Sequence, residues 1–222
     1  MSQAVRGIIL DMDGTLVDTN EAHAQTWVDA LKSFGYEVTL DVIRPLIGQG
    51  GDKLIPRLTG ETKDSEIGKK LAAHRSELFE QRYLESVEAF PETRELVARL
   101  RDLGLKVVVA SSSRRDHLDR LIEAAAIGDL IDSATSASDV DESKPDPDVI
   151  EAALAKLGLA PEQVMMIGDT PYDIEAAARV GVRTLALRCG GWQDEGLTGA
   201  VAVYADPADL LANLNASPLA RS

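Results

Sequence analysis

Asp11 and Asp13 stand two residues apart in Asp11-Met12-Asp13-Gly14-Thr15-Leu16-Val17-Asp18, directly after the apolar run Gly7-Ile8-Ile9-Leu10. Carboxylates at the end of an apolar strand are costly to bury unpaired, and a bound cation resolves that cost. An ordinary Asp-Gly turn after a strand has the same dipeptide, so the pair alone does not define a site. Three later segments add to it. Lys106-Val107-Val108-Val109-Ala110-Ser111-Ser112-Ser113 is an apolar run ending in hydroxyls. Lys144-Pro145-Asp146-Pro147 puts a lysine just before a helix start, and Val164-Met165-Met166-Ile167-Gly168-Asp169-Thr170-Pro171-Tyr172-Asp173 ends a third apolar run in an Asp…Asp pair. In open parallel sheets, ligands bind at such carboxyl ends of strands.

The elements that must position these residues alternate along the chain. Apolar, β-branched runs predict strands near 7–11, 106–111, 130–134, 164–168 and 183–187, with a short one near 201–204. Helical periodicity lies between them, at 92–103, 115–126, 146–157 and 172–180, with glycine just past or near each end. This is the pattern of an α/β, doubly wound (Rossmann-like) parallel sheet. Residues 19–87 break it, holding helical patterns and no convincing strand. Trp27, Val28, Leu31 and Phe34 share one face that Gly35 stops, and a second helix runs from about 64 to 86 through Leu71, His74, Leu78 and Tyr83. An α-helical domain of residues 19–87, inserted into a core of 1–18 and 88–222, is therefore expected.

The four motifs, in order and each after a plausible element, resemble the haloacid dehalogenase-like (HAD) superfamily of aspartate-nucleophile phosphohydrolases. The resemblance covers essentially the whole chain. It implies that Asp11 is the nucleophile and that Asp13 protonates the leaving oxygen and later activates water, which requires Asp13 to be transiently neutral beside ionised Asp11. It implies Mg2+ held by Asp11, by the backbone carbonyl of Asp13 and by Asp169, with Asp173 holding a metal-bound water. Helix N-terminal charge compensation is the other reading of Asp173. Lys144 would balance charge on Asp11 and on the phosphoryl group, and Ser111 with the Ser112 amide would bind a phosphoryl oxygen. Ser113 and Arg114 read more simply as the start of a helix. The insert matches the helical cap of one HAD class. Within it, Asp18-Thr19-Asn20-Glu21-Ala22-His23 resembles β-phosphoglucomutase-like members, in which the histidine faces substrate; a surface helix histidine is the plainer reading of His23. Gly48-Gln49-Gly50-Gly51-Asp52-Lys53 is by family position the substrate-specificity loop, or else a simple linker, so Gly48 and Gly51 are candidate substrate contacts. Arg75 is a candidate for the distal part of the substrate, while His74 and His117 are expected at the surface.

Composition narrows the classes. The chain has 222 residues, 45% of them hydrophobic but only 4% aromatic, which predicts one aliphatic core with an insertion. A formal charge of −14 argues against nucleic acid and repels a phosphorylated substrate at long range, so local cations must overcome the field. No apolar run approaches the roughly 18 residues of a membrane span. Met1-Ser2-Gln3-Ala4-Val5-Arg6 leads directly into the first strand, without the pattern of a signal peptide. The single cysteine, Cys189, reads as a small apolar filler and fits a cytoplasmic location. The tail 215–222 is expected to fray. Nothing in the sequence sets the oligomeric state.

These readings favour a Mg2+-dependent phosphatase acting on a small phosphorylated metabolite, a sugar phosphate or phosphoglycolate. A β-phosphoglucomutase-like phosphomutase is the alternative, and a non-catalytic metabolite-binding protein a second one. Three glycines in Gly48–Gly51 leave little bulk or rigidity to align Asp13 only when sugar is bound, which favours attack by water. Dehalogenation needs no second aspartate such as Asp13. Phosphonoacetaldehyde hydrolysis needs a cap lysine, and Lys53 falls about two positions beyond its place.

Overall fold

The computed structural model describes residues 4–220, so Met1–Gln3, on which part of the leader expectation rests, lie outside the described residues. Six strands, β1 (Gly7–Leu10), β2 (Lys106–Ala110), β3 (Ser133–Thr135), β4 (Val164–Gly168), β5 (Arg183–Leu187) and β6 (Ala202–Tyr204), form one sheet in the order β3-β2-β1-β4-β5-β6. Every pairing is parallel. Strand order reverses direction at β1, which pairs with both β2 and β4, so the crevice at its carboxyl end is the expected ligand site of a doubly wound sheet.

Alternate residues of each strand feed opposite faces. Ile8, Leu10, Val107, Val109, Met165 and Ile167 point into one core cluster, and Ile9, Val108, Ala110, Val164 and Met166 into the other. In chain order the helices are α1 (Asn20–Ser33), α2 (Leu40–Ile43), α3 (Gly51–Thr59), α4 (Glu66–Arg82), α5 (Thr93–Asp102), α6 (Arg115–Ala124), α7 (Asp148–Leu157), α8 (Pro171–Arg179) and α9 (Pro207–Ala212). Leu96, Leu100, Leu118, Leu121 and Leu210 cover the first face from α5, α6 and α9. Val149, Ile150, Ala153, Ala176 and Ala177 cover the second from α7 and α8.

Helices α1–α4 lie between β1 and β2 and hold an apolar cluster of their own, with Trp27, Leu31, Ile43, Leu54, Ile55 and Leu71 buried in it. The two strands of chain that lead out and back run side by side. Val17 and Ala89 form an antiparallel bridge, and Asp18 N donates to the Glu88 carbonyl at 3.0 Å.

Three local expectations change. The third strand is Ser133–Thr135 rather than 130–134, because Val108–Ala110 pairs with that later register while Leu130 and Ile131 pack on the core from a turn. The tail does not fray through its described part, since Ser217 and Leu219 are buried and Leu214 and Leu219 join the main core. Gly51 is the first residue of α3, not part of a loop.

Candidate active site

Asp11 follows β1 and is 5% exposed, and Lys144, before α7, is 1% exposed. The Lys144 ammonium donates to Asp11 Oδ1 and to Asp173 Oδ1, the latter at 2.7 Å. Burial alone would lower the Lys144 pKa, but these two carboxylates hold it above the ordinary range. Burial raises the Asp11 carboxyl to about 7, with Lys144 opposing and the charges of Asp173 and Asp13 adding to the rise. Asp169, at the end of β4, is pushed well above the ordinary carboxylate range by burial and then by Asp11 and Asp173.

Thr15 Oγ1 donates to Asp169 Oδ1 at 2.8 Å and is 3.1 Å from Asp11 Oδ2, while Asn20 Nδ2 donates to Asp169 Oδ2 at 2.8 Å. Gly14 makes this approach possible. It has φ +78°, and a Cβ there would lie 2.4 Å from Asp169 Oδ2. Thr15 and Asn20 were not singled out from sequence as site residues. Both lie inside the first motif and its continuation, but nothing in their local pattern reveals a partner at position 169.

Asp11, Asp169 and Asp173 each bring a carboxylate oxygen within 4.8 Å of the others, all three buried. Among the described residues Lys144 is the one cation bonded to the group, so these carboxylates carry an excess of buried negative charge. Hard oxygen donors in that excess fit a divalent cation. Within the triad, Asp173 is also a structural anchor. Its Oδ2 accepts from Thr170 N at 3.0 Å and Thr170 Oγ1 at 2.7 Å, a reciprocal capping box at the start of α8. The helix-terminus reading of Asp173 is thus present in the structure.

Asp13 is held by donors from two places, the start of α1 and the loop between β2 and α6. Thr19 Oγ1 at 2.8 Å and His23 Nε2 at 2.7 Å reach Oδ1, and Ser113 Oγ at 2.8 Å and Ser111 Oγ at 3.2 Å reach Oδ2. Burial would raise its pKa, but His23 and the Ser113 and Thr19 hydroxyls hold the carboxyl below the ordinary range. Asp13 is thus held on the ionised side while the Asp11 carboxyl is raised. Ser113 is not simply the start of a helix, for α6 is capped by Arg114 and the Ser113 hydroxyl serves Asp13. Ser111 also points at Asp13, and Ser112 Oγ donates to the Gly48 carbonyl at 3.2 Å.

His23 is buried rather than a surface residue and stacks on Phe79 at 4.3 Å between centroids. Arg75 on α4 donates to His23 Nδ1. A guanidinium has no acceptor, so Nδ1 must accept, and the ring proton sits on Nε2 facing Asp13. Burial lowers the His23 pKa despite Asp13, and Arg75 adds to the lowering. His117, expected at the surface, is buried too. It lies 3.2 Å from Ser76 Oγ and 5.4 Å from the Phe79 centroid, joining α6 to α4. His74 is half-buried beside Phe34, 6.1 Å between centroids.

A cavity of about 270 Å³ connects these groups, lined by Asp11, Asp13, His23, Arg75, Ser112 and Gly48 among others. The glycines at 48–51 form a close-packed clasp, correcting the expectation of a loop without rigidity. Gly48 has φ +105°, and a Cβ there would come within 2.8 Å of Thr170 Cγ2. Gly50 N donates to Ser143 Oγ at 2.9 Å, and Ser143 N donates to Asp52 Oδ2 at 3.1 Å. Lys53 pairs with Glu142 and Asp146, each at 2.5 Å. Gly51 faces the Trp27 ring. Cys189 packs its sulfur 3.2 Å from the Gly14 carbonyl, and burial, with Asp169 nearby, raises its pKa, as befits a filler.

The family model described as haloacid dehalogenase-like hydrolase matches residues 8–187. The chain belongs to this HAD family. It is 30% identical over 193 residues to the phosphoglycolate phosphatase of Yersinia pseudotuberculosis, covering 85% of this chain and 83% of that one. It is 28% identical over 185 residues to the pyrophosphatase PpaX of Bacillus velezensis, covering 82% and 83% respectively. The crystal structure of a hydrolase from Pseudomonas syringae superposes with a TM-score of 0.88 at 30% identity, covering 95% of this chain and 98% of that one. This HAD protein is accordingly an enzyme, a hydrolase of the phosphatase type, and among its described residues no helix is long and apolar enough to cross a membrane.

Proposed function

We propose that this HAD protein is a Mg2+-dependent cytoplasmic phosphatase that hydrolyses a small phosphorylated metabolite, of the sugar phosphate or phosphoglycolate type, through phospho-Asp11. The Asp11 carboxylate attacks phosphorus, the ester bond to the leaving oxygen breaks, and that oxygen takes a proton from Asp13, which must have taken one up beforehand because its neighbours favour the ionised form. In the second half, Asp13 takes a proton from water, the water oxygen attacks the phosphorus of phospho-Asp11, and phosphate leaves with Asp11 restored. Lys144 keeps Asp11 oriented and balances the charge that gathers there. Ser111 and the Ser112 amide bind a phosphoryl oxygen. Asp11 and Asp169, with the Asp13 carbonyl, would hold Mg2+, and Asp173 would orient its bound water while fixing Lys144. When bound, the cation neutralises the carboxylates and draws charge off the phosphoryl oxygens. Helices α1–α4 act as a cap that excludes bulk water, hinged where Val17 meets Ala89.

The observation that carries hydrolysis over phosphotransfer to sugar is the anchoring of Asp13. A mutase must align this acid only when sugar fills the site, so that water does not win. Here Thr19, His23, Ser111 and Ser113 anchor Asp13 at the cavity through the protein's own donors, so its alignment does not depend on a sugar. The test is a panel of phosphorylated metabolites assayed for free phosphate with Mg2+ and with chelator. Turnover that needs both Mg2+ and Asp11 supports the proposal; turnover unaffected by chelator or by Asp11→Asn contradicts it.

A further inference from the structure

Arg75 is a cation in the substrate cavity that the protein leaves without a carboxylate. Its guanidinium lies over the Trp27 and Phe79 rings, 5.4 Å from each centroid. It donates to His23 Nδ1, and its Nε is buried with no hydrogen-bond partner. Arg82 and Arg94, by contrast, pair with Asp29 and Asp129. Among the described residues no carboxylate forms an ion pair with Arg75, and the charge acting on it is that of Asp13, beyond His23. A half-buried cation whose inner nitrogen has neither hydrogen bond nor counter-charge is unfavourable, and its retention beside a cavity points to a partner that arrives with the ligand.

The surroundings define that partner. Two aromatic rings flank the guanidinium, and a planar fork with an unpartnered Nε matches a carboxylate or phosphoryl group. Asp52 and Glu142, acids on the same cavity wall, are engaged by Lys53 at 3.5 and 2.5 Å rather than by Arg75. One imidazole, that of His23, separates the guanidinium from Asp13, a span of about 7 Å from hydrogen-bond and ring dimensions. The cavity measures about 270 Å³, enough for a compact ligand.

We propose that Arg75 receives a second anionic group of the substrate, so that the preferred substrates are compact phosphate compounds bearing a carboxylate or a second phosphoryl group rather than neutral sugar phosphates. This rests on the phosphatase reading of the same site. The experiment compares kcat/KM for 2-phosphoglycolate, pyrophosphate and 2-hydroxyethyl phosphate, the last matching the first in size without its carboxylate. The wild type is expected to prefer one of the anionic compounds by about ten- to hundredfold, the worth of one charge-assisted contact. Preference for 2-phosphoglycolate identifies the group as carboxylate, and preference for pyrophosphate as phosphoryl. The preference should collapse to within about threefold in Arg75→Met and partly survive in Arg75→Lys, which also serves if Arg75→Met fails to fold. Equal wild-type turnover of anionic and neutral compounds, or a preference that persists in Arg75→Met, overturns the inference while leaving the phosphatase reading intact. If no compound is turned over, that reading fails instead. Calorimetric binding of 2-phosphoglycolate and 2-hydroxyethyl phosphate to wild type and Arg75→Met then decides the subsite. Weaker binding of the acid alone in the variant supports it, and unchanged binding overturns it.

Discussion

At the scale of single residues, Asp11 combines burial with a lysine bonded directly to its carboxylate. Asp11→Asn keeps the shape but removes the nucleophile, so turnover should fall by more than about a hundredfold. Thermal denaturation should show the fold retained. The raised pKa of Asp11, about 7, also predicts how metal and proton compete. Below that value the proton must be displaced before a cation binds; above it the carboxylate is already free. The rise in Tm on adding Mg2+ should therefore be larger at pH 8 than at pH 5.5, and equal or reversed shifts would argue that Asp11 is not a ligand. Asp11, Asp13, Lys144 and Asp169 were legible in the sequence because each follows an apolar run or precedes a helix start. Thr15, Asn20, Ser113 and His117 were not, because their partners lie far away in the chain. The contact between Thr15 and Asp169, for instance, spans 154 positions.

Among the elements, the parallel sheet was readable from period and punctuation alone, and the boundaries of β1, β2, β4 and β5 fall within a residue of expectation. β3 was misplaced because Leu130 and Ile131 are apolar yet belong to a turn, and only pairing with β2 decides the register. The Gly48–Gly51 segment was misread for a related reason. Glycines that serve close approach look, in sequence, like glycines that serve flexibility. Lys53 bridges α3 to Glu142 and Asp146 in the segment that carries Lys144, joining the inserted helices to the core. These pairs are partly exposed and so are worth little individually. Lys53→Met should raise KM by up to about fivefold with kcat within about twofold, as expected for a contact that favours closure over the bound substrate. A fall in kcat with KM unchanged would instead tie this bridge to the chemical step.

For the whole molecule, a formal charge of −14 surrounds a site that must accept anions, so binding draws on local cations, among them Lys144 beside Asp11 and Arg75 in the cavity wall. With Asp13 anchored by the protein's own donors, β-glucose 1-phosphate plus a bisphosphate primer should yield free phosphate in step with substrate loss. Isomer forming faster than phosphate would favour the mutase.

The central claim is that Asp11 itself carries the phosphoryl group during turnover. The direct measurement is acid quench of enzyme, Mg2+ and substrate within milliseconds, followed by intact-mass and peptide analysis. The account predicts a transient adduct with the mass of one phosphoryl group, located at Asp11, labile to hydroxylamine and absent in Asp11→Asn. Substrate turnover through phosphate release with no such adduct under single-turnover conditions, or an adduct on another residue, would contradict it.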